Sequence, residues 1–117
     1  MKLTRERRGD AWVLTPHTNL MGGHETEELR QAIHEIAAGD APKIVVDLGE
    51  ISWMNSCGVG TLAAAHVSCV KRGGWFRIAR IDRRIRSILL ITKLILILET
   101  FDTVEAALTG VSLQHAS

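Results

Sequence analysis

The chain has 117 residues, 46% of them hydrophobic and 23% charged, with a formal net charge of +1. That is one domain's worth of ordinary soluble protein, large enough to bury a core without disulfides or structural metal. Collagenous, low-complexity and disordered classes are excluded, and so small a net charge gives the body no general attraction to nucleic acid or anionic membrane.

Leu3 to Arg7 and Ala11 to Leu14 are short runs separated by Arg8-Gly9-Asp10, and Gly-Asp between such runs predicts an opening hairpin. Pro16 closes the second strand because it has no N–H for the ladder. Thr18 to Gly23 reads as a loop. From His24 the period becomes helical: Leu29, Ala32, Ile33, Ile36 and Ala37 form one apolar face. Glu25, Glu27 and Glu28 favour its positive end, and Gly39 with Pro42 stops it.

Lys43 to Leu48 is a β-branched run, predicted as a buried strand. Ile51 to Met54 then leads to Asn55-Ser56, a good pair for opening a helix from Cys57 to about Arg72. Val59, Leu62, Ala63, His66, Val67 and Val70 are assigned to its apolar face, and Gly73-Gly74 ends it. Trp75 to Ala79 is the next strand. Arg83 to Ile91 is a third helix with Ile85, Ile88 and Leu89 inward. Leu94 to Leu98 (LILIL) is expected to be a fully apolar strand, and Phe101-Asp102-Thr103 to cap a last helix over Val104 to Leu108. The order implies an α/β domain with a mixed sheet of about five strands and about four helices. LILIL is most simply core, although so apolar an edge also offers a surface for a second copy, a homodimer, or a partner.

Other chemistry is sparse. Cys57 and Cys69 fall on one helix, roughly 18 Å apart along its axis, too far for a disulfide, which suits a reducing compartment. Met1 to Asp10 has no apolar stretch of the secretory kind, and the run from Ile85 to Leu98 is interrupted and too short to cross a bilayer. A soluble, cytoplasmic protein with no membrane association is therefore expected. A nucleophilic Cys57 with His66 as base fails because nine helical residues separate them by roughly 13 Å. The five histidines lack metal-ligand spacing, so no metal and no cofactor are expected, and His66 is read as a satisfied core or rim residue. Gly58-Val59-Gly60 is neither a dinucleotide fingerprint nor a P-loop. Two glycines within one turn weaken a helix, which tight packing on the sheet or close approach of a partner would each explain.

Charge is unevenly spread. Lys71 to Arg86 carries a net +6, and Glu25 to Glu50 a net −5. The basic stretch reads first as a solvated face, second as a surface steering an acidic protein partner. Direct nucleic-acid binding lacks both a recognition-helix motif and an aromatic stacking platform.

Val45-Val46-Asp47-Leu48, a short loop, and Met54-Asn55-Ser56-Cys57-Gly58-Val59-Gly60-Thr61-Leu62 together resemble the STAS domain, the sulfate-transporter and anti-sigma-factor-antagonist family. Thr26-Glu27-Glu28-Leu29-Arg30 and Phe101-Asp102-Thr103-Val104-Glu105-Ala106-Ala107-Leu108 agree in order and spacing. The likeness spans residues 1–112, with 113–117 left as a frayed tail. It implies a non-enzymatic bacterial regulator, an anti-sigma-factor antagonist in a partner-switching system. By this resemblance Ser56 stands where the antagonists carry a phosphorylated serine. Asn55, Ser56, Cys57, Gly58 and Met21 would then meet the partner, an ATP-dependent anti-sigma-factor serine kinase, and a phosphatase would reset the switch. The chain departs from the pattern at Asn55, where an acid is usual, and in Thr18-Asn19-Leu20-Met21, which lacks a second acid. The alternative is a STAS scaffold or ligand-binding subunit of a signalling or transport assembly, working without phosphorylation.

Overall fold

A computed structural model describes residues 3–111. The chain reverses at Gly9, whose φ of 65° is left-handed, so that β1 (Leu3–Arg8) runs antiparallel to β2 (Ala11–Pro16). Pairing extends from Arg8↔Ala11 to Leu3↔Pro16, so the proline closes the strand as its last member. β1 is an edge strand whose side chains after Leu3 are charged or polar, which discourages further pairing.

α1 (His24–Ala37) follows, then β3 (Lys43–Asp47), α2 (Ser56–Lys71), β4 (Trp75–Ala79), α3 (Arg83–Ile91), β5 (Glu99–Phe101) and α4 (Val104–Thr109). The sheet runs β1-β2-β3-β4-β5, with every pair after the hairpin parallel. Parallel strands covered on both faces read as continuous apolar runs, and the alternation of Lys43 to Asp47 shows why. Ile44 and Val46 enter the larger core beneath α1, α2 and α3, whereas Val45 joins Val13, Ala79, Phe101 and Ala107 on the α4 side. The mixed five-stranded sheet with four helices agrees with the sequence.

The apolar run after α3 does not form a strand. Lys93 takes a left-handed conformation (φ 66°), and Leu94–Leu96 make a single 3-10 turn closed by Leu96 N–H donating to the Lys93 carbonyl. Pairing with β4 starts only at Glu99 and brings Phe101 opposite Ala79 on the α4 side. Of the run only Leu98 is fully buried, and Leu96 is 81% exposed. An unbroken apolar run has no period from which to tell strand from turn, and its placement is set by where Phe101 must pack.

The α2 face also differs from expectation. Its buried residues are Gly58, Leu62, Ala65 and Cys69, while Val67 and Val70 face solvent. Apolar residues encircle this helix, so the small ones, which let it approach the sheet closely, decide which side turns inward. His66 is only half-buried, and its Nδ1 has no protein partner among the described residues, contrary to the satisfied role expected. The proposed tail, 113–117, lies outside the described residues.

Candidate functional site

Two loops converge at the start of α2: residues 17–23 after β2 and 48–55 after β3. Leu20 and Met54 form an isolated parallel bridge, both fully buried. Leu20 N–H donates to the Trp53 carbonyl (3.3 Å) and Asn55 N–H to the Leu20 carbonyl (3.0 Å). Asn19 Oδ1 accepts from the N–H groups of Ser52 (3.0 Å) and Trp53 (3.3 Å). At the far end His17 Nδ1 lies 2.8 Å from Glu50 Oε1, and its Nε2 2.6 Å from Thr4 Oγ1. Asn19 positions the site yet carries no signal in sequence beyond being a loop asparagine.

Asn55 is the cap that starts α2. Its Oδ1 accepts from Cys57 N–H (3.0 Å) and Gly58 N–H (3.3 Å), and its Nδ2 donates to the Met21 carbonyl (2.8 Å). Aspartate serves as well as asparagine in the capping role, but its carboxylate has no proton for the Met21 carbonyl. The two departures from the family pattern are thus linked, because the amide of one holds the backbone of the other. Gly22 (φ 90°) lets the loop fold over the helix mouth; a Cβ there would stand 3.2 Å from Cys57 Sγ.

Ser56 is the first residue of α2, exposed, and its hydroxyl makes no hydrogen bond to any described residue. The first turn carries no acid, so the helix dipole is unopposed by local negative charge. The amides that a helix start would offer an anion are largely engaged, since Asn55 takes those of Cys57 and Gly58, and the Asn55 carbonyl that of Val59. A phosphate on Ser56 would gain from the dipole and remain on the surface rather than sink into an amide nest.

Beside Ser56 runs a groove of about 280 Å3 between the α2 mouth and the second half of α3. Trp53, Val59, Ile88 and Ile91 line it; Trp53 is 47% and Ile91 81% exposed. Met21, 49% exposed, flanks the same mouth through its loop. The structure thus brings Met21, Asn55, Ser56 and Cys57 to one surface, whereas Gly58 faces inward.

The two glycines separate clearly. A Cβ on Gly58 would meet the Leu20 carbonyl at 2.7 Å, Leu20 Cβ at 2.8 Å and Met54 Cβ at 2.9 Å, whereas one on Gly60 would meet nothing within 4 Å. Alanine at 58 is therefore expected to destabilise by about 1–3 kcal/mol through overpacking. Alanine at 60 is expected to stabilise by up to about 1 kcal/mol through helix propensity. Denaturant unfolding of both variants checks the opposite signs, and shifts of the same sign would refute the packing described.

The thiols differ as sharply. Cys57 is exposed, while burial pushes Cys69 up to about 11. Alkylation of the native protein at neutral pH is expected to label Cys57 alone, and unfolding to release the second thiol, as mass mapping would show.

Part of the basic stretch is structural. Arg72 donates to the carbonyls of Ala38 (2.9 Å) and Gly39 (2.8 Å) at the end of α1. Arg77 stacks over Trp75 and donates to the Ala107 carbonyl, and Arg80 forms a two-pronged pair with Asp47, 2.8 and 3.0 Å. Arg83, Arg84 and Arg86 on α3 face solvent and form no ion pair among the described residues. Among those residues no helix is long and apolar enough to cross a membrane.

The sequence profile of the STAS domain matches residues 3–107. Among solved structures the chain is similar to a Thermotoga maritima protein described as a candidate anti-sigma factor antagonist (20% identity, TM-score 0.85, 93% of each chain covered). It is similar also to an anti-sigma factor antagonist from Mycobacterium paratuberculosis, with 26% identity, TM-score 0.78, and 93% and 92% of the two chains covered. A third likeness is to the Bacillus cell fate determinant SpoIIAA in its phosphorylated form (19% identity, TM-score 0.72, 92% and 97% covered).

Proposed function

The chain belongs to the STAS domain family, and from that premise we propose that it is an anti-sigma-factor antagonist, a binding module rather than an enzyme. Unphosphorylated, it binds an anti-sigma-factor serine kinase at the surface formed by Met21, Asn55, Ser56 and Cys57. The kinase transfers the γ-phosphoryl group of ATP to the Ser56 oxygen, which gives up its proton, and ADP leaves. The modified chain is released, and a phosphatase restores the hydroxyl.

The observation that carries this reading is the exposed Ser56 hydroxyl, without a hydrogen-bond partner among the described residues, on the rim of an apolar groove. A phosphate adds about −1.5 to −2 charge. Placed at a helix start it leaves the domain folded, so release follows from bulk and charge at the contact, not from refolding. Gly58 supports the surface from beneath, by letting Leu20 and Met54 close against the helix.

The test is a complex between the chain and a purified anti-sigma-factor kinase encoded in the same genome, followed by size-exclusion chromatography. ATP is expected to dissolve the wild-type complex and leave the Ser56→Ala complex intact. A second reading, the scaffold or ligand-binding subunit, draws on Asn55 and Met21 in the positions of the usual acids. It predicts that ATP has no effect on either complex.

A further inference from the structure

The groove beside Ser56 has chemistry of its own. One wall is the mouth of α2 with Trp53, Met54 and Val59, and the other is α3 through Ile88, Ile91 and Thr92. Arg84, Ile88 and Ile91 follow one another at the four- and three-residue spacings that stack side chains along one helix face. Ile88 and Ile91 give this wall its aliphatic surface, and Arg84 lies one turn further along the same helix face, beyond the residues that line the groove. Arg83 adjoins Arg84, whereas Arg86 falls on the opposite side of the helix, and the first turn of α3 contains no acid. The capping carboxylate, Asp82, is engaged by the Ile85 N–H at 2.8 Å. Three guanidiniums, none in an ion pair among the described residues, outweigh the single Asp82 carboxylate at this end of α3, and Trp53 and Ile91 stand exposed.

We infer that this groove is the seat of the kinase's docking segment, an apolar side chain inserted between Trp53 and Ile91 with carboxylates beside it facing Arg83 and Arg84. The inference rests on the proposed function and specifies the chemistry of its partner. It also accounts for release. Ser56 lines the same groove, so its phosphate adds negative charge to a contact made by a carboxylate-bearing segment. Like charges meeting across a contact oppose binding strongly.

Three variants of the full chain test it against the same purified kinase, with affinity measured at low and high salt. Ile91→Asp is expected to weaken binding by at least about tenfold, because it puts a charge where the apolar anchor sits. The double variant Arg83→Glu/Arg84→Glu is expected to lose about tenfold at low salt and less at high salt, with the loss mainly in the association rate. Leu96→Asp, an equally exposed apolar position on the 3-10 turn outside the groove, is expected to bind as the wild type does. Because Ile91 is 81% exposed, its variant should fold as the parent does, a carboxylate at the C-terminus of α3 lowering the melting temperature only slightly. Wild-type affinity in both groove variants overturns the inference while leaving the regulatory role standing. Absence of any wild-type complex removes the role and the inference together. Concentration-dependent self-association of the free chain that Ile91→Asp abolishes assigns the groove to a second copy and equally overturns the inference.

Discussion

Alanine at Gly74 is expected to cost about 3 kcal/mol or more, lowering the melting temperature by more than about 10 °C. Gly74 lies between the end of α2 and β4, where its N–H donates to the Cys69 carbonyl and Trp75 N–H to the Pro42 carbonyl, each at 2.9 Å. A Cβ here would stand 1.7 Å from the Pro42 carbonyl oxygen. That neighbour is backbone, so relief requires the chain to move and breaks the first rung of β3–β4 pairing, Lys43↔Trp75. The same pairing carries Ile44, Val46, Phe76 and Ile78 into the larger core. Gly73 provides the comparison: it is left-handed (φ 83°) with open space around its Cβ direction, so alanine there costs only backbone strain of about 1–2 kcal/mol. Denaturant and thermal unfolding of the two variants measure the difference. A Gly74→Ala protein within about 1 kcal/mol of wild type would contradict the close approach.

The other large effect is on binding. Ser56→Glu is expected to fold normally and to bind the kinase at least about a hundredfold more weakly, a loss of roughly 2.7 kcal/mol. A carboxylate at the first position of α2 has the helix dipole in its favour, worth about 0.3–1 kcal/mol, and no other acid shares the turn. The melting temperature should therefore hold or rise slightly. Against a docked partner the same carboxylate loses water and gains no compensating amides, since Asn55 already occupies those of Cys57 and Gly58. Ser56→Ala should bind as tightly as the parent. Isothermal titration of the three proteins separates these outcomes, and equal affinity for Glu and Ser would refute the surface mechanism.

The architecture could be read from the chain because its punctuation agrees with its periodicity. Gly9-Asp10 turns the hairpin, Gly39 and Pro42 end α1, Asn55 starts α2, and Thr103 Oγ1 accepts from Ala106 N–H to start α4. Two assignments failed where that agreement was missing. Leu94 to Leu98 has neither punctuation nor period, and the left-handed Lys93 that turns it into a 3-10 segment has no mark in sequence. In α2 the apolar residues surround the helix, so spacing alone did not show that Gly58, Ala65 and Cys69 are the ones that turn inward. The place of Ser56 at a helix mouth was legible from the asparagine before it. Its support was not, because the hydrogen bonds that Asn19 accepts and Asn55 donates join loops more than thirty residues apart. The basic stretch misled by its sum: Arg72, Arg77 and Arg80 are held by carbonyls, an indole and Asp47, and the charge left facing solvent is concentrated on α3.

The central claim is that the Ser56 oxygen accepts phosphate. Incubation of the chain with ATP and its cognate anti-sigma-factor kinase, followed by peptide mass mapping, tests it most directly. The account predicts one phosphate per chain, located on Ser56 and absent from Ser56→Ala. A stable complex with no phosphate on the chain, or a phosphate placed on another hydroxyl, would contradict it.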